Sequence, residues 1–266
     1  MTTTVAPPVP EAKPALVADS LALTGRHLRL MARRPASIMG GIVLPVIFAV
    51  LFLTVFGRVM ERAGLDYPQY MMSAIVVQSA FFAAMSGSIW AAEDASSGMV
   101  ERLRAMPIAR PAPILSLLIG EVVRSVISCV VLVAVGYGFG FRFETGVLGV
   151  LGFFALVIVA AAAICLPYLV LGFRLAAPEP AQAIGGVIYF PMLLVSTLFV
   201  PKEAYPGWLQ PIVEYQPLSC ITEALRAVST DGFTDVPATV GIALLWMAGS
   251  LVVFGLLAPR VFGKVS

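Results

Sequence analysis

The sequence is short of charge, histidine and cysteine, and each shortage removes a class of explanation. Charged residues make up 12% of its 266 positions while apolar ones make up 59%, against about 25% charged in a soluble domain. With a mean hydropathy of +0.95, the chain reads as an integral membrane protein. Its one histidine, His27, has no cysteine or second histidine near it in the sequence, so no metal site is expected. Cys129 and Cys165 fall inside apolar runs and Cys220 in a later loop, which implies no disulfide framework. No H-E-x-x-H occurs, no serine or cysteine has a plausible histidine within the membrane, and Glu121 has no second carboxylate beside it. Catalytic residues are therefore not expected. A G-x-x-x-x-G-K-[ST] motif is also missing, so the chain has no P-loop of its own for ATP. The opening MTTTVAPPVPEAKP lacks a basic region followed by an apolar run. Residues 1–14 read as a disordered tail rather than a cleaved signal.

What is present is length in apolar runs. Windows able to cross a ~30 Å hydrocarbon core occur at about 36–56, 69–92, 113–139, 147–171, 183–200 and 238–258. The expected fold is all-α, with six transmembrane helices filling a domain over 36–258 and a cytoplasmic tail at 259–266. The fifth window is short, and Gly185, Gly186 and Pro191 interrupt it. Pro45, Pro167 and Pro191 suggest kinks that neighbouring helices tolerate. If the N-terminus is inside, that side carries Lys13, Arg26, Arg29, Arg33, Arg34, Arg102, Arg104, Arg110, Arg174, Arg260 and Lys264. The other side carries only Arg58, Arg62, Arg142, Lys202 and Arg226. The positive-inside rule then puts both termini in the cytoplasm. The Arg-rich, Lys-poor balance points to a high-GC bacterium, and so to its cytoplasmic membrane.

Residues 15–35 read as an interfacial amphipathic helix, with Arg26, Arg29 and Arg33 in one stripe and Leu16, Leu21, Leu23, Leu28, Leu30 and Met31 on a broad opposite face. Residues 201–237 read as two short helices at or dipping into the outer interface, because Trp208, Leu209, Ile212 and Val213 make one apolar face and Ile221, Ala224, Leu225 and Val228 another. No internal repeat relates the two halves, which disfavours an inverted-repeat carrier.

The third span holds the feature that a membrane makes expensive. Glu121, Arg124, Ser125 and Ser128 share one helix face, and Arg124 lies ~16 Å into the helix from Pro113. A charge at such depth costs at least ~2.5–3.5 kcal/mol, so it should face protein or a water-filled cavity. One reading is the lining of a substrate path. The other is a structural ion pair, mutually neutralised or snorkelling inward.

Two motifs carry a resemblance. EDASSGMVERLRAMPIAR resembles the signature of ABC-2 type transporter permeases that follows the second span, through Glu93, Gly98, Glu101, Leu103 and Pro107. YPGWLQPIVEYQPLSCITEALRA resembles that family's closing signature through Trp208, Tyr215, Pro217, Leu218, Glu223, Leu225 and Arg226. The daunorubicin-resistance type of permease is the most similar. Met99 and Val100 stand where many relatives have Thr-Leu, and Glu121 and Arg124 belong to neither signature.

The resemblance implies the membrane subunit of an ATP-driven exporter that moves a lipophilic drug, polyketide or lipid outward. It implies two copies of a separate ATPase, which bind the ATP and Mg, and a second copy of this chain or a sister permease. No nucleic acid is implied. About 94–108 becomes a coupling helix inserted in the ATPase. Met99, Leu103 and Met106 would then form an apolar ridge, with Glu101, Arg102 and Arg104 at the rim. An ion-driven carrier and a non-transporting scaffold are the alternatives.

Overall fold

The computed structural model describes residues 15–33, 39–62, 64, 66–109 and 111–262. The expected tail at 1–14 and the last residues of the expected tail at 259–266 lie outside them. With no water to satisfy backbone amides, an apolar run must close its hydrogen bonds on itself, and the described chain is helical with no strand among the described residues. The helices are α1 (Leu16–Arg33), α2 (Leu44–Arg62), α3 (Tyr67–Ser96), α4 (Met99–Ala105), α5 (Ala112–Gly138), α6 (Gly146–Leu175), α7 (Pro178–Leu194), α8 (Gln210–Tyr215), α9 (Pro217–Ser229) and α10 (Val236–Phe262). A π-helical turn, Met39–Val43, runs directly into α2.

Five stretches are long and apolar enough to cross a membrane: Gly41–Arg62, Tyr67–Ser96, Ala112–Gly138, Gly146–Leu175 and Val236–Val261. The expected sixth, at 183–200, differs. Its helix, α7, starts earlier and ends at Leu194 after 17 residues, ~25 Å at 1.5 Å per residue. Pro191 removes one rung of its ladder, and beyond Leu194 the chain turns, with Ser196 Oγ donating to the Leu193 carbonyl. The segment nonetheless runs antiparallel to α3. Gly185 faces Met85, the Tyr189 ring lies 5.1 Å from Phe81 and 5.9 Å from Phe82, and the Tyr70 hydroxyl donates to the Thr197 carbonyl at 2.6 Å.

Helix α3 is the centre of the bundle and α10 its periphery: 78% of the most apolar window of α3 is buried, against 11% of that of α10. Small residues let the neighbours of α3 approach closely, as membrane helices without a hydrophobic driving force require.

Part of the segment expected to lie at or dip into the outer interface packs inside the bundle. Of α9, Leu218, Ile221, Ala224 and Leu225 are all buried. Its first residues meet Phe81 and Tyr168 around one cavity, while at its other end Glu144 N donates to the Ser229 carbonyl and Thr145 Oγ1 to the Val228 carbonyl. From Leu218 to Ser229 is ~16 Å, about half a hydrocarbon core. Helix α9 thus turns back into the bundle, with the mostly exposed α8 before it. Polar groups on α9 do not oppose this, because Ser219, Thr222 and Arg226 find partners inside the protein.

Candidate functional site

Helix α5 brings Glu121, Arg124, Ser125 and Ser128 to one face, and all four are buried. The Arg124 guanidinium pairs with Glu121 at 2.5 Å and donates to the Ala83 carbonyl of α3 at 2.5 Å. Ser128 Oγ donates at 2.8 Å to the carbonyl of Gly41 in the π turn. Such turns commonly mark functional positions in helices. Helices α3 and α5 and the start of the first span therefore meet at one charged group.

A fourth element joins from a place the sequence did not advertise. Helix α1 buries Ser20, Thr24, His27 and Met31, a stripe at i, i+4, i+7 and i+11, against α5. His27 Nε2 lies 3.8 Å from Glu121 Oε1, and its ring meets Trp90 edge-on at 5.4 Å. Two glycines make room. A Cβ on Gly120 would stand 2.4 Å from His27 Cδ2, and one on Gly87 would stand 3.0 Å from Glu121 Cγ. Arg26, Arg29 and Arg33 do face outward, but so do Leu16 and Leu21. The face turned to the protein is the polar-neutral stripe rather than the broad apolar one.

Trp90, Met31, Leu117 and Ala258 share one packed cluster at the α4 end of the bundle. Ala83, the partner of Arg124, is seven residues before Trp90 on α3, ~10 Å further in. The charged group thus lies about two turns inward from that cluster. Ser125 Oγ and Ser88 Oγ are buried without a hydrogen-bond partner, so the interior here retains unused polar capacity. A buried ion pair of this kind is weak evidence for stability, yet costly to break by removing one partner. Among the described residues no group of side chains could hold a metal ion.

At the same end, α3 closes with Glu93 and Asp94 half-buried, and the chain reverses at Gly98, whose φ of 71° suits a residue without a Cβ. Helix α4 follows. Its expected ridge is divided: Val100 is buried within the chain's own cluster, Leu103 is buried beside it in sequence, Met99 is half-buried, and Met106 is 45% exposed. Leu103 is therefore an anchor to its own bundle. Glu101, Arg102, Met106 and Pro107 form the solvent-facing side. A bond from Ala109 N to Asp19 Oδ2 at 3.0 Å ties this region to α1, while Thr24 Oγ1 donates to the Ser20 carbonyl of its own helix at 2.7 Å and lies 3.4 Å from the Ser116 carbonyl. The side chain of Arg104 lies outside the described residues.

The residues of the second signature split in the same manner. Trp208 and Tyr215 are exposed, with the Tyr215 carbonyl accepting from Trp246 Nε1 at 3.0 Å, and Pro217 opens α9. Arg226 is a buried clamp. Its guanidinium reaches Glu223 at 2.6 Å and the carbonyls of Tyr70 and Leu198 at 3.0 Å each, and lies 3.6 Å from the Tyr70 ring centre. This links α9 to α3 and to the turn after α7. On the rim, a hydrogen bond to Glu214 raises the pKa of the Lys202 ammonium.

A family model described as ABC-2 type transporter matches residues 19–229. The chain is 28% identical, over 94% of its length and 88% of the relative's, to the daunorubicin resistance ABC transporter permease protein DrrB1 of Streptomyces coeruleorubidus. It is 30% identical, over 89% of its length and 85% of the relative's, to the probable doxorubicin resistance ABC transporter permease protein DrrC of Mycobacterium tuberculosis. A more distant relative, the putative transport permease ycf38 of Porphyra purpurea, is 27% identical over 83% of the chain and 78% of its own length.

Proposed function

Because this chain belongs to the ABC-2 type transporter family, we propose that it is the membrane subunit of an ATP-driven exporter of a lipophilic drug, polyketide or lipid. A separate ATPase, in two copies, docks at the α4 end and binds ATP and Mg. A second copy of this chain or a sister permease completes the membrane part. The observation that carries the reading is the construction of α4. A short helix, set off by Gly98 and Pro107 and anchored by Val100 and Leu103, turns Glu101, Arg102 and Met106 outward. That is the arrangement a coupling helix needs: fixed to its own bundle, with a charged rim and one adaptable apolar side chain for the partner.

Six crossings are the topology we favour. The contacts of Gly185, Tyr189 and Thr197 follow α3 from Met85 back to Tyr70, fifteen residues or ~22 Å of helix, which supports α7 and the turn after it as a complete traverse. With both termini then on one side, the Lys and Arg distribution assigns that side to the cytoplasm of a bacterium. ATP-driven movement of the docked ATPases would pull on α4 and, through Asp19, on α1. His27 would carry that movement to Glu121 and Arg124.

The test is copurification followed by reconstitution. The full chain should retain a P-loop ATPase, and the pair in vesicles should move an anthracycline or a labelled lipid only when ATP is supplied. Transport that follows an ion gradient without ATP would replace this reading with a carrier. Retention of an ATPase whose turnover no substrate alters would replace it with a scaffold.

A further inference from the structure

A cavity of about 460 Å³ opens between α6, α7, α9 and α10. It lies where α7 and α10 do not pack along each other, against the N-terminal tip of α9. Pro217, Leu218 and Ile221 of that tip roof it at one end, and Phe254 and Pro167 lie at the other. Phe254 is one turn before Ala258 on α10, so the cavity occupies the half of the bilayer on the α4 side.

Its chemistry is one-sided. The three side chains with strong polar groups on the wall have committed their donors to backbone carbonyls: Tyr168 to Gly185 at 3.1 Å, Ser250 to Ala163 at 2.7 Å and Trp246 to Tyr215 at 3.0 Å. Ligand sites of this size usually combine apolar walls with a few free polar groups that orient the ligand. Here no lining side chain is ionisable except the hydrogen-bonded Tyr168, so selection is by shape and apolar surface alone. The mouth is flanked by Ile188 and Val253, 45% and 52% exposed, in a helix layer that meets lipid.

We propose that this cavity holds the hydrocarbon chain of a bilayer phospholipid from the leaflet on the α4 side, with the headgroup left outside. A transmembrane helix of a second copy does not fit. It would need a groove ~30 Å long, whereas the walls on α10 extend from Trp246 to Phe254, ~12 Å, and end under α9. A flexible chain needs neither that length nor a polar partner. The inference depends on membrane embedding and not on the exporter reading, so either can fail alone.

The experiment uses the full chain in phosphatidylethanolamine and phosphatidylglycerol vesicles that contain a phospholipid with a diazirine near the end of one acyl chain. After illumination, labelled residues are mapped by peptide mass spectrometry. Leu218, Ile221 and Met247 are almost fully buried, out of reach of lipid that merely surrounds the protein, whereas Leu245 is 74% exposed and reports the surround. Label on the three buried residues is expected. Gly249 lines the cavity, and a Cβ there meets nothing within 4 Å. Gly249→Leu should therefore fill the space and lower labelling of the buried residues by about tenfold or more, with Leu245 unchanged. Label confined to Leu245 in the unaltered protein overturns the proposal, and this map decides alone if the variant does not insert. A disulfide between two Ser250→Cys copies, with the buried residues unlabelled, would name a second copy as the occupant and overturn it equally.

Discussion

Arg124→Met leaves the Glu121 carboxylate buried without that guanidinium, with the His27 imidazole 3.8 Å away. It also removes the donor to the Ala83 carbonyl. Breaking a buried pair by removing one partner costs about 3–5 kcal/mol, and replacing both partners with apolar side chains of similar volume is often neutral or stabilising. Methionine is suited to both positions because its flexible chain fills irregular space. Arg124→Met should therefore lower the thermal midpoint of the purified protein by roughly 6–10 °C. The double variant Glu121→Met with Arg124→Met should recover most of that loss. Size-exclusion chromatography after graded heating, with equal membrane abundance of each variant, reads both numbers.

The double variant also separates the two meanings of the cluster. If the charges only hold α1, α3, α5 and the π turn together, the recovered protein should export as the unaltered one does. If they line a path for substrate, stability should return and export should not. An Arg124→Met protein with an unchanged midpoint, or a double variant no more stable than the single one, would refute the argument that these two groups are coupled inside the bundle.

Gly120→Val should push His27 off Glu121, since even a Cβ would stand 2.4 Å from the ring; faster hydrogen exchange across α1, with α3 still protected, is the expected readout. Arg226→Ala should free α9 from Tyr70 and Leu198 and cost about 1.5–3 kcal/mol for each lost charged hydrogen bond, seen as new protease cleavage near Ser229. At α4, Met106→Asp should abolish ATPase copurification while leaving chain stability intact, whereas Leu103→Asp should impair folding, because Leu103 is buried in its own bundle. Cysteines introduced at Ser96 and Thr234 test the six-span topology: an impermeant reagent should reach only Thr234→Cys in intact cells, and the reverse pattern would invert the orientation.

The spans were legible because hydrophobic length is a local property, and four of the five long stretches overlap their expected windows almost completely. Helix α7 was less so, since Pro191 and the turn at Val195 depend on what the chain packs against after Leu194. The depth of α9 was hidden by Ser219, Thr222 and Arg226, which read as surface residues until their partners on the main chain are known. For α4, periodicity identifies Met99, Leu103 and Met106 as a ridge but cannot say whether the chain itself already covers it. His27 was unreadable for a different reason: a lone histidine acquires meaning only from Glu121, 94 positions away in sequence. The spacing of Ser20, Thr24, His27 and Met31 was the one available signal, as a polar seam at helical period on an otherwise apolar helix.

That seam explains why α1 packs with a polar-neutral face inward. Leu16, Val17 and Leu21 are exposed on the outer face, where a membrane surface would cover them, while hydroxyls and an imidazole face the protein. Thr24 Oγ1 donates to the Ser20 carbonyl one turn back and lies beside the Ser116 carbonyl, and the His27 imidazole stands 3.8 Å from the Glu121 carboxylate. Asp19 extends the seam to Ala109, just past Pro107. One helix therefore touches the segment that follows α4 and the charged group inside the bundle. An apolar α1 of equal length could anchor the chain, but it would slide along α5 with little change in energy; polar contacts of fixed register resist that sliding. Register is what a lever requires.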